Sequence, residues 1–246
     1  MRLLIVIVNY KTAGLVLDCL RSLEGQVDPS RDRVVVIDNG SGDNSHQVVS
    51  KAIMSNAWSD WAVAEEAPGN DGFAAGNNFG VKVGNERFGA FDYTLLLNPD
   101  TVVLEDGIGA LLRFMDEHPK VGIAGSRLEN PDATPRRSAF RFATIGSEFE
   151  RGARVGVITK MLRHKLVAPD IQAVAHETYW VAGASMIVRQ GVFDRAGLMD
   201  DAYFLYYEET DFCLAAKRAG FECWYVPESR VIHLVGQSTG PIRVTA

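Results

Sequence analysis

Residues 3–10, Leu-Leu-Ile-Val-Ile-Val-Asn-Tyr, begin with six consecutive apolar residues and end in Asn9 and Tyr10. An apolar run without alternation is typical of a β-strand that is buried on both faces of a sheet. A secretory signal peptide is the alternative, but it needs an apolar core of about 7–15 residues and a small-residue cleavage site. Here the run is shorter and continues into Asn9 and Lys11. The sequence therefore predicts a buried strand over residues 3–8.

Short β-branched runs of this kind alternate with helical patterns along the first 125 residues. Further strands are predicted at 33–38, 61–65, 93–97 and 121–124, and helices at 12–24, 44–56, 73–88 and 106–117. This alternation indicates βαβ units and a mainly parallel sheet. Right-handed crossovers bring the carboxyl ends of such strands to one edge, where open α/β sheets bind ligands.

The periodicity fades between residues 126 and 175, and a second ordered part begins near His176. Its predicted strands are 176–180, 185–189 and 221–226, and its predicted helices are 190–197 and 209–219. We therefore expect two halves, 1–125 and 126–246, within a single compact domain.

The composition is that of a globular protein, with 246 residues, 47% hydrophobic and 23% charged. These values exclude disordered and fibrous classes. The three cysteines are odd in number and lack metal-ligand spacing, which predicts neither a disulfide framework nor a zinc site and favours a cytoplasmic location. Every apolar run is far shorter than the roughly 18 residues that a membrane-spanning helix needs.

Positive charge is concentrated in residues 136–165. The whole chain has a net charge of −6, but this segment has eight Lys and Arg against two Glu, a local +6 that leaves −12 elsewhere. A solvated loop is one interpretation. The other is peripheral contact with an anionic membrane face or a lipid-linked diphosphate.

An acidic residue follows the predicted strand 93–97, in the sequence Asn98-Pro99-Asp100. A carboxylate at the edge of a sheet can bind Mg²⁺ or Mn²⁺, which prefer oxygen ligands that they share with phosphates. The alternative is an ordinary Asn-Pro-Asp turn. His233 is either a half-buried strand histidine or, if it faces the same site, a further metal ligand.

Two other segments carry polar groups at the same predicted edge. Asp38 ends the strand 33–38 and can accept hydrogen bonds from a base or a ribose, although such a residue can also cap a helix. Residues 70–80 have glycine at every fourth position and contain Asn70 and Asn77. Close helix packing explains the glycines but leaves the asparagines unexplained.

Three carboxylates cluster where the last helix begins, at Glu208, Glu209 and Asp211. Acidic residues there complement the helix dipole, by about 0.3–1 kcal/mol each. Capping needs only one acid, however, and this group lies among aromatic residues. The more specific interpretation is that one of these carboxylates acts as a general base.

Taken together, these segments resemble the family 2 glycosyltransferases of the GT-A fold, and in particular the bacterial rhamnosyltransferases that build surface polysaccharides. The resemblance covers residues 3 to about 239. Its ordered motifs are Ile7–Tyr10, Val36–Ser41, Gly72–Asn77, Leu96–Asp100, Val181–Ala184, Glu208–Asp211 and His233. It implies an α/β GT-A fold, in which a Rossmann-like nucleotide-binding sheet is fused to an acceptor-binding C-terminal part.

The resemblance also implies a role for each matching residue. The residues expected to bind the nucleotide sugar are Asn9, Tyr10, Asp38, Asn39, Asn70, Gly72, Phe73, Asn77 and Asn98. The residues expected to bind the acceptor are Trp180, Gly183 and Ala184. Asp100 matches the last acid of the DxD metal motif, with Asn98 in place of its first Asp, and His233 matches a histidine that reaches the metal. Glu209 stands where the family has an Asp as catalytic base, so Glu208 or Asp211 is expected to share the task if the backbone does not compensate.

The implied activity is inverting transfer of a sugar, L-rhamnose from dTDP-rhamnose, to a hydroxyl of a glycan or lipid-linked acceptor. Mn²⁺ or Mg²⁺ is the expected cofactor, nucleic acid is not an expected partner, and the expected location is the cytoplasm or the inner face of the plasma membrane. Two alternatives stay open. One is a sugar-nucleotide pyrophosphorylase, although the chain has Asn9-Tyr10-Lys11-Thr12 where those enzymes carry a Gly-rich, Arg-containing loop. The other is a catalytically silent GT-A binding module. A dehydrogenase is disfavoured because no GxGxxG follows the strand 3–8.

Overall fold

The computed structural model describes residues 1–142 and 169–234 and confirms the predicted α/β class. The first part contains β1 (Leu3–Asn9), α1 (Ala13–Leu23), β2 (Arg33–Asp38), α2 (Ser45–Ser55), β3 (Ala62–Glu66), α3 (Phe73–Phe88), β4 (Tyr93–Leu97), β5 (Thr101–Val103), α4 (Gly107–Glu117), β6 (Val121–Glu129) and β7 (Ala139–Phe140). The second contains β8 (His176–Thr178), β9 (Trp180–Val181), β10 (Ser185–Arg189), α5 (Gln190–Ala196), α6 (Glu208–Arg218) and β11 (Glu222–His233).

The central sheet has the strand order β3-β2-β1-β4-β10-β6-β11-β5, and β8 pairs with β11. The strands β3, β2, β1 and β4 are parallel, as predicted, with Ile7 of β1 paired to Val36 and Leu97. The strand β10 lies between β4 and β6 and is antiparallel to both. The sheet is therefore parallel from β3 to β4 and mixed from β10 to β5.

Both faces of this sheet are buried, which explains the unbroken apolar sequence of β1. Ile5 and Ile7 face a core that includes residues of α1, α2 and α4. Val6 faces the opposite core, which includes residues of α3, α5 and α6. Each fully buried aliphatic side chain of this size stabilises the fold by about 1.5–3 kcal/mol, so β1 anchors the two layers of helices.

The glycines of α3 serve close packing, as one of the two sequence-based interpretations proposed. A Cβ atom at Gly76 would lie 2.8 Å from Val8 Cγ1, and one at Gly84 would lie 2.6 Å from Leu4 Cδ2. At Gly80 it would overlap Val6. The absence of side chains lets α3 lie directly against β1, so its first residues reach the carboxyl edge of the sheet.

Two strands are longer than the sequence predicts, and one is divided. β6 was expected to end at residue 124 and β11 at residue 226, but they continue together to Glu129 and His233. A register shift between Val226 and Arg230 accommodates Pro227 inside β11. The predicted strand 176–180 is divided into β8, which pairs with β11, and β9, which pairs with β7.

Candidate active site

The loops that follow β1 and β2 are joined by hydrogen bonds at Ser41. Ser41 Oγ donates to Asp38 Oδ1 and accepts from Lys11 N at 2.9 Å. Asn9 Nδ2 approaches the same hydroxyl at 3.4 Å, and Asn9 Oδ1 accepts from Thr12 N at 3.1 Å. Asn9 and Asp38 are both buried. Ser41 was not predicted as a site residue, although the Asp-x-x-Ser spacing is a turn signal that points to it.

A second connection joins the loop after β2 to the start of α3. Asn39 Nδ2 donates to Asn70 Oδ1 at 3.1 Å and to Gly72 O at 3.0 Å. Gly40 has a left-handed φ of +66°, and a Cβ atom there would lie 2.7 Å from Asn70 N. The predicted nucleotide-binding residues Asn39, Asn70 and Gly72 therefore form one connected edge.

Two other predicted nucleotide-binding residues differ in their accessibility. Tyr10 is 39% exposed, with the ammonium of Lys11 over its ring. Asn77 is buried within α3, and its amide donates to Phe73 O at 2.9 Å. The amide of Asn77 is thus used inside its own helix, and its contact with a donor stays a prediction.

The predicted metal ligands Asp100 and His233 lie side by side. His233 Nε2 is 3.3 Å from Asp100 Oδ1, and Leu234 N donates to Asp100 O at 2.9 Å. Antiparallel pairing of β11 with β5, which puts His233 opposite Thr101, produces this approach. A buried carboxylate and a neighbouring imidazole are suitable ligands for Mn²⁺ or a similar divalent cation.

Asn98 lies two residues before Asp100, and its backbone is held in place. Asn98 N donates to Ala184 O at 3.0 Å, but its buried Oδ1 atom has no hydrogen-bond partner in residues 1–142 and 169–234. An unsatisfied buried oxygen near Asp100 fits a site that completes its interactions with a ligand. Nowhere in those residues do three His, Cys, Asp or Glu side chains cluster to hold a metal by themselves, so other ligands would have to complete the coordination.

Two residues that the sequence analysis did not single out support the turn 98–100. Thr101 Oγ1 donates to Asn98 O at 2.7 Å, and Cys19 Sγ lies 3.6 Å from Thr101 Oγ1. Burial raises the pKa of the Cys19 thiol to about 12, so the thiol keeps its proton. Only the packing of α1 under this turn reveals the contribution of Cys19.

The acidic cluster lies in the first turn of α6. Glu208 is buried and Glu209 half-buried, and the Oε2 atom of each lacks a hydrogen-bond partner within the described parts of the chain. Burial, together with the charge of Glu209, raises the pKa of Glu208 to about 7, and burial also raises the pKa of Glu209. Raised carboxyl pKa values in a buried pair are typical of acid–base sites. Asp211 is half-buried in the same turn, and its N–H donates to Tyr207 O.

The segment before α6 brings these carboxylates to the start of α3. Phe73 N donates to Phe204 O at 2.8 Å, and Gly72 packs directly on the backbone of Phe204. A Cβ atom at Gly183 would lie 3.5 Å from Phe73 Cε1 and 3.7 Å from Glu209 Cβ. The predicted nucleotide-binding edge, the acids and the predicted acceptor residue Gly183 therefore converge.

Two tyrosines in this segment have a strained backbone. Tyr206 and Tyr207 have φ values of +70° and +71°. The left-handed conformation costs a residue with a Cβ atom about 1–2 kcal/mol. Strain of this kind in successive residues just before Glu208 and Glu209 is typical of a functional site.

The other predicted acceptor residues lie close to Gly183 in the sequence. The Trp180 ring stacks on Phe140, with centroids 4.2 Å apart, and Trp180 Nε1 donates to Arg141 O at 3.2 Å. Ala184 is buried, and its carbonyl accepts the bond from Asn98 N. The chain from Trp180 to Ala184 thus connects the acidic cluster to the turn 98–100.

Only the start of the basic segment 136–165 belongs to the described residues, since 143–165 lie outside them. Arg136 Nη1 donates to Asn130 Oδ1 at 2.9 Å, and Arg137 is 3.8 Å from Asp170. The helices within residues 1–142 and 169–234 are all too short or too polar to cross a bilayer.

Comparison with known proteins identifies the family. The family model for glycosyl transferase family 2 matches residues 4–167, more than half of the chain. The N-acetylglucosaminyl-diphospho-decaprenol L-rhamnosyltransferase of Mycobacterium tuberculosis is 28% identical over 158 residues, 61% of this chain and 49% of that protein. Rhamnosyltransferase WbbL of Escherichia coli is 28% identical over 166 residues, 66% of this chain and 60% of that protein. The chain thus spans about half the length of the first of these relatives.

A solved structure extends the likeness to the whole fold. The mannosyltransferase PcManGT from Pyrobaculum calidifontis, in complex with GDP-Man and Mn²⁺, superposes with a TM-score of 0.67 and 15% identity. The match covers 97% of this chain and 58% of that chain. The fold is therefore GT-A, as the sequence motifs imply, and the chain belongs to glycosyl transferase family 2.

Proposed function

We propose that this chain transfers a sugar, with inversion, from a nucleoside-diphosphate donor to an acceptor hydroxyl, and that the donor is dTDP-L-rhamnose. The observation that carries the proposal is the convergence of Glu209, whose Oε2 atom lacks a partner among the described residues, with the start of α3 and with Gly183. The rhamnosyltransferase activities of the mycobacterial relative and of WbbL support rhamnose as the sugar.

In this mechanism Glu209 accepts the proton of the acceptor hydroxyl while that oxygen attacks the anomeric carbon. The new C–O bond forms on the face opposite the bond to the diphosphate, which breaks as the diphosphate departs. Because the pKa of Glu209 is raised by burial, its carboxylate is a stronger base than an exposed one. A divalent cation at Asp100 and His233 would stabilise the charge that develops on the diphosphate.

The proposal also assigns a different role to each half of the chain. Residues 1–125 bind the donor, with Asp38 reading the base or the ribose, and residues 126–246 bind the acceptor and supply the base. The acceptor class that we propose is a glycan or lipid-linked sugar, because one relative acts on a decaprenol-linked substrate. The positive charge of 136–165 then suits contact with a lipid-linked diphosphate or the inner face of the plasma membrane.

Donor binding tests the proposal directly. Thermal unfolding is measured with Mn²⁺ and a panel of dTDP-, UDP- and GDP-sugars. A donor present at about a hundred times its Kd stabilises the fold by roughly 2.7 kcal/mol, which raises Tm by about 5–10 °C for a chain of this size. We expect the largest shift with dTDP-rhamnose, and rhamnosyl transfer to N-acetylglucosaminyl-diphospho-lipid in a following assay. Preference for a GDP-sugar would overturn the donor assignment.

A further inference from the structure

We propose that Phe204, Tyr206 and Tyr207 form a stacking platform for the acceptor, and that the unit they bind is an uncharged pyranose. This inference rests on the proposed function, because it identifies the ring whose hydroxyl gives its proton to Glu209. Within the proposed glycan or lipid-linked acceptors, it specifies that the sugar ring that accepts the transfer is uncharged.

The first support is the concentration of exposed aromatic surface at one place. Phe204, Tyr206 and Tyr207 are 59%, 51% and 72% exposed. In residues 1–142 and 169–234, the only other exposed aromatic side chains are Tyr10 and Tyr179. Clustered apolar exposure marks a binding surface, and this cluster immediately precedes the two glutamates.

The second support is that the backbone carrying these rings is held in place. Phe204 O accepts the bond from Phe73 N at 2.8 Å, and Tyr207 O accepts the bond from Asp211 N at 2.9 Å. Tyr206 and Tyr207 both have the left-handed backbone that residues with a Cβ atom avoid. Burial of their side chains does not offset this backbone strain, because both side chains are exposed. Core packing therefore does not explain the tyrosines at these positions.

The third support is charge. Residues 200–211 contain five Asp and Glu and no Lys or Arg. This segment repels an anionic sugar unit and anionic lipid headgroups at the rings, which disfavours the alternative that the three rings insert into a membrane surface. A neutral pyranose offers an apolar C–H face to the rings and hydroxyls to the neighbouring carboxylates, and aromatic rings suit such an apolar face.

Ligand-observed NMR with methyl glycosides tests the platform. The probes are the methyl pyranosides of N-acetylglucosamine, galactose, mannose and rhamnose, with methyl glucuronide as the charged probe, all with dTDP and Mn²⁺ present. The variants are Tyr206→Asn and Tyr207→Asn, because asparagine tolerates the left-handed backbone, and Tyr206→Phe and Tyr207→Phe, which keep the ring. Met54→Gln is the control for an exposed apolar side chain, since α2 packs on the other face of the sheet from α6.

We expect at least one neutral pyranoside to bind and the glucuronide to bind more weakly. Each Asn variant should raise the Kd of that sugar by about tenfold, the loss of roughly one stacking contact. The Phe variants and Met54→Gln should change it by less than about threefold, with the Kd of dTDP unchanged in every variant.

The inference would be overturned if the wild type binds dTDP but no neutral sugar. It would also be overturned if the Asn variants retain full sugar affinity, or if the Asn variants lose binding to anionic vesicles while retaining sugar binding. Failure of the proposed function looks different, because the wild type would then bind neither dTDP nor any nucleoside-diphosphate sugar.

Discussion

His233 Nε2 lies 3.3 Å from Asp100 Oδ1, although most of the chain separates the two residues in sequence. The contact depends on β11, which continues past Pro227 and ends opposite β5, the short strand that begins directly after Asp100. The long strand thus carries a histidine from the C-terminal half to the edge where the parallel strands end. One strand pairing therefore assembles the candidate metal site from two distant parts of the sequence.

If these two side chains bind the metal, removing either should weaken Mn²⁺ binding. We expect Asp100→Asn and His233→Gln each to lower the affinity for Mn²⁺, measured by electron paramagnetic resonance with dTDP present, by at least about tenfold. The matched control is Asp106→Asn, an exposed carboxylate paired with Arg113 and also close to β5. Unchanged Mn²⁺ affinity in both site variants would contradict the metal assignment.

The parallel half of the fold was predictable because its signals are local. The apolar run of β1 and the four-residue glycine spacing of α3 encode burial on two faces and close packing, and both are visible in sequence. The antiparallel insertion of β10 between β4 and β6 is not, because a strand of five residues carries no mark of its partner.

The site residues, too, were predictable only where their signal is local in sequence. Asp100, His233, Glu208 and Glu209 stood out as acids or a histidine near predicted element ends. Cys19 and Thr101 did not, because a buried thiol and a hydroxyl gain their role only when tertiary packing sets them under the turn 98–100. The predicted strand 221–226 stops before Pro227, which lacks the N–H needed for pairing, whereas a register shift lets β11 continue past this residue to His233.

The close contact of α3 with β1 predicts an unusual response to a helix-favouring substitution. Gly80→Ala should destabilise the protein by about 1–3 kcal/mol, because its Cβ atom overlaps Val6, and this outweighs the roughly 1 kcal/mol gain in helix propensity. Gly14→Ala in α1 is the control, since a Cβ atom there would meet nothing within 4 Å apart from the neighbouring backbone of its own helix. Urea unfolding should show Gly14→Ala at least as stable as wild type, and equal stabilisation by both changes would refute the packing argument.

The raised pKa of Glu208 makes stability depend on pH. Glu208 has a pKa of about 7 in the folded chain against 4.5 for an unperturbed glutamate, so the folded state binds its proton more tightly. This contribution to stability is fully present below pH 4.5 and is lost as pH rises through 7. Glu208→Gln mimics the protonated side chain and should be more stable than wild type above pH 7, by up to about 3 kcal/mol, with little difference at pH 4. Chemical denaturation across this pH range measures the effect, and a constant difference between the two proteins would contradict it.

Glu209 should be the residue whose carboxylate accepts the proton. Glu209→Gln keeps the size and packing of the side chain but cannot act as a base, so kcat for transfer should fall by about 100-fold or more. Donor affinity should hardly change, because the loss affects the transition state and not the bound donor. Glu208→Gln is the matched neighbour, and we expect it to reduce kcat by less than about tenfold, since Glu208 is a buried residue whereas Glu209 is half-buried and more accessible to an acceptor. Steady-state transfer from dTDP-rhamnose separates the two variants. If Glu208→Gln is inactive and Glu209→Gln is active, Glu208 is the base instead. That result would also show that the backbone does not accommodate the extra methylene of Glu209, compared with the family's aspartate.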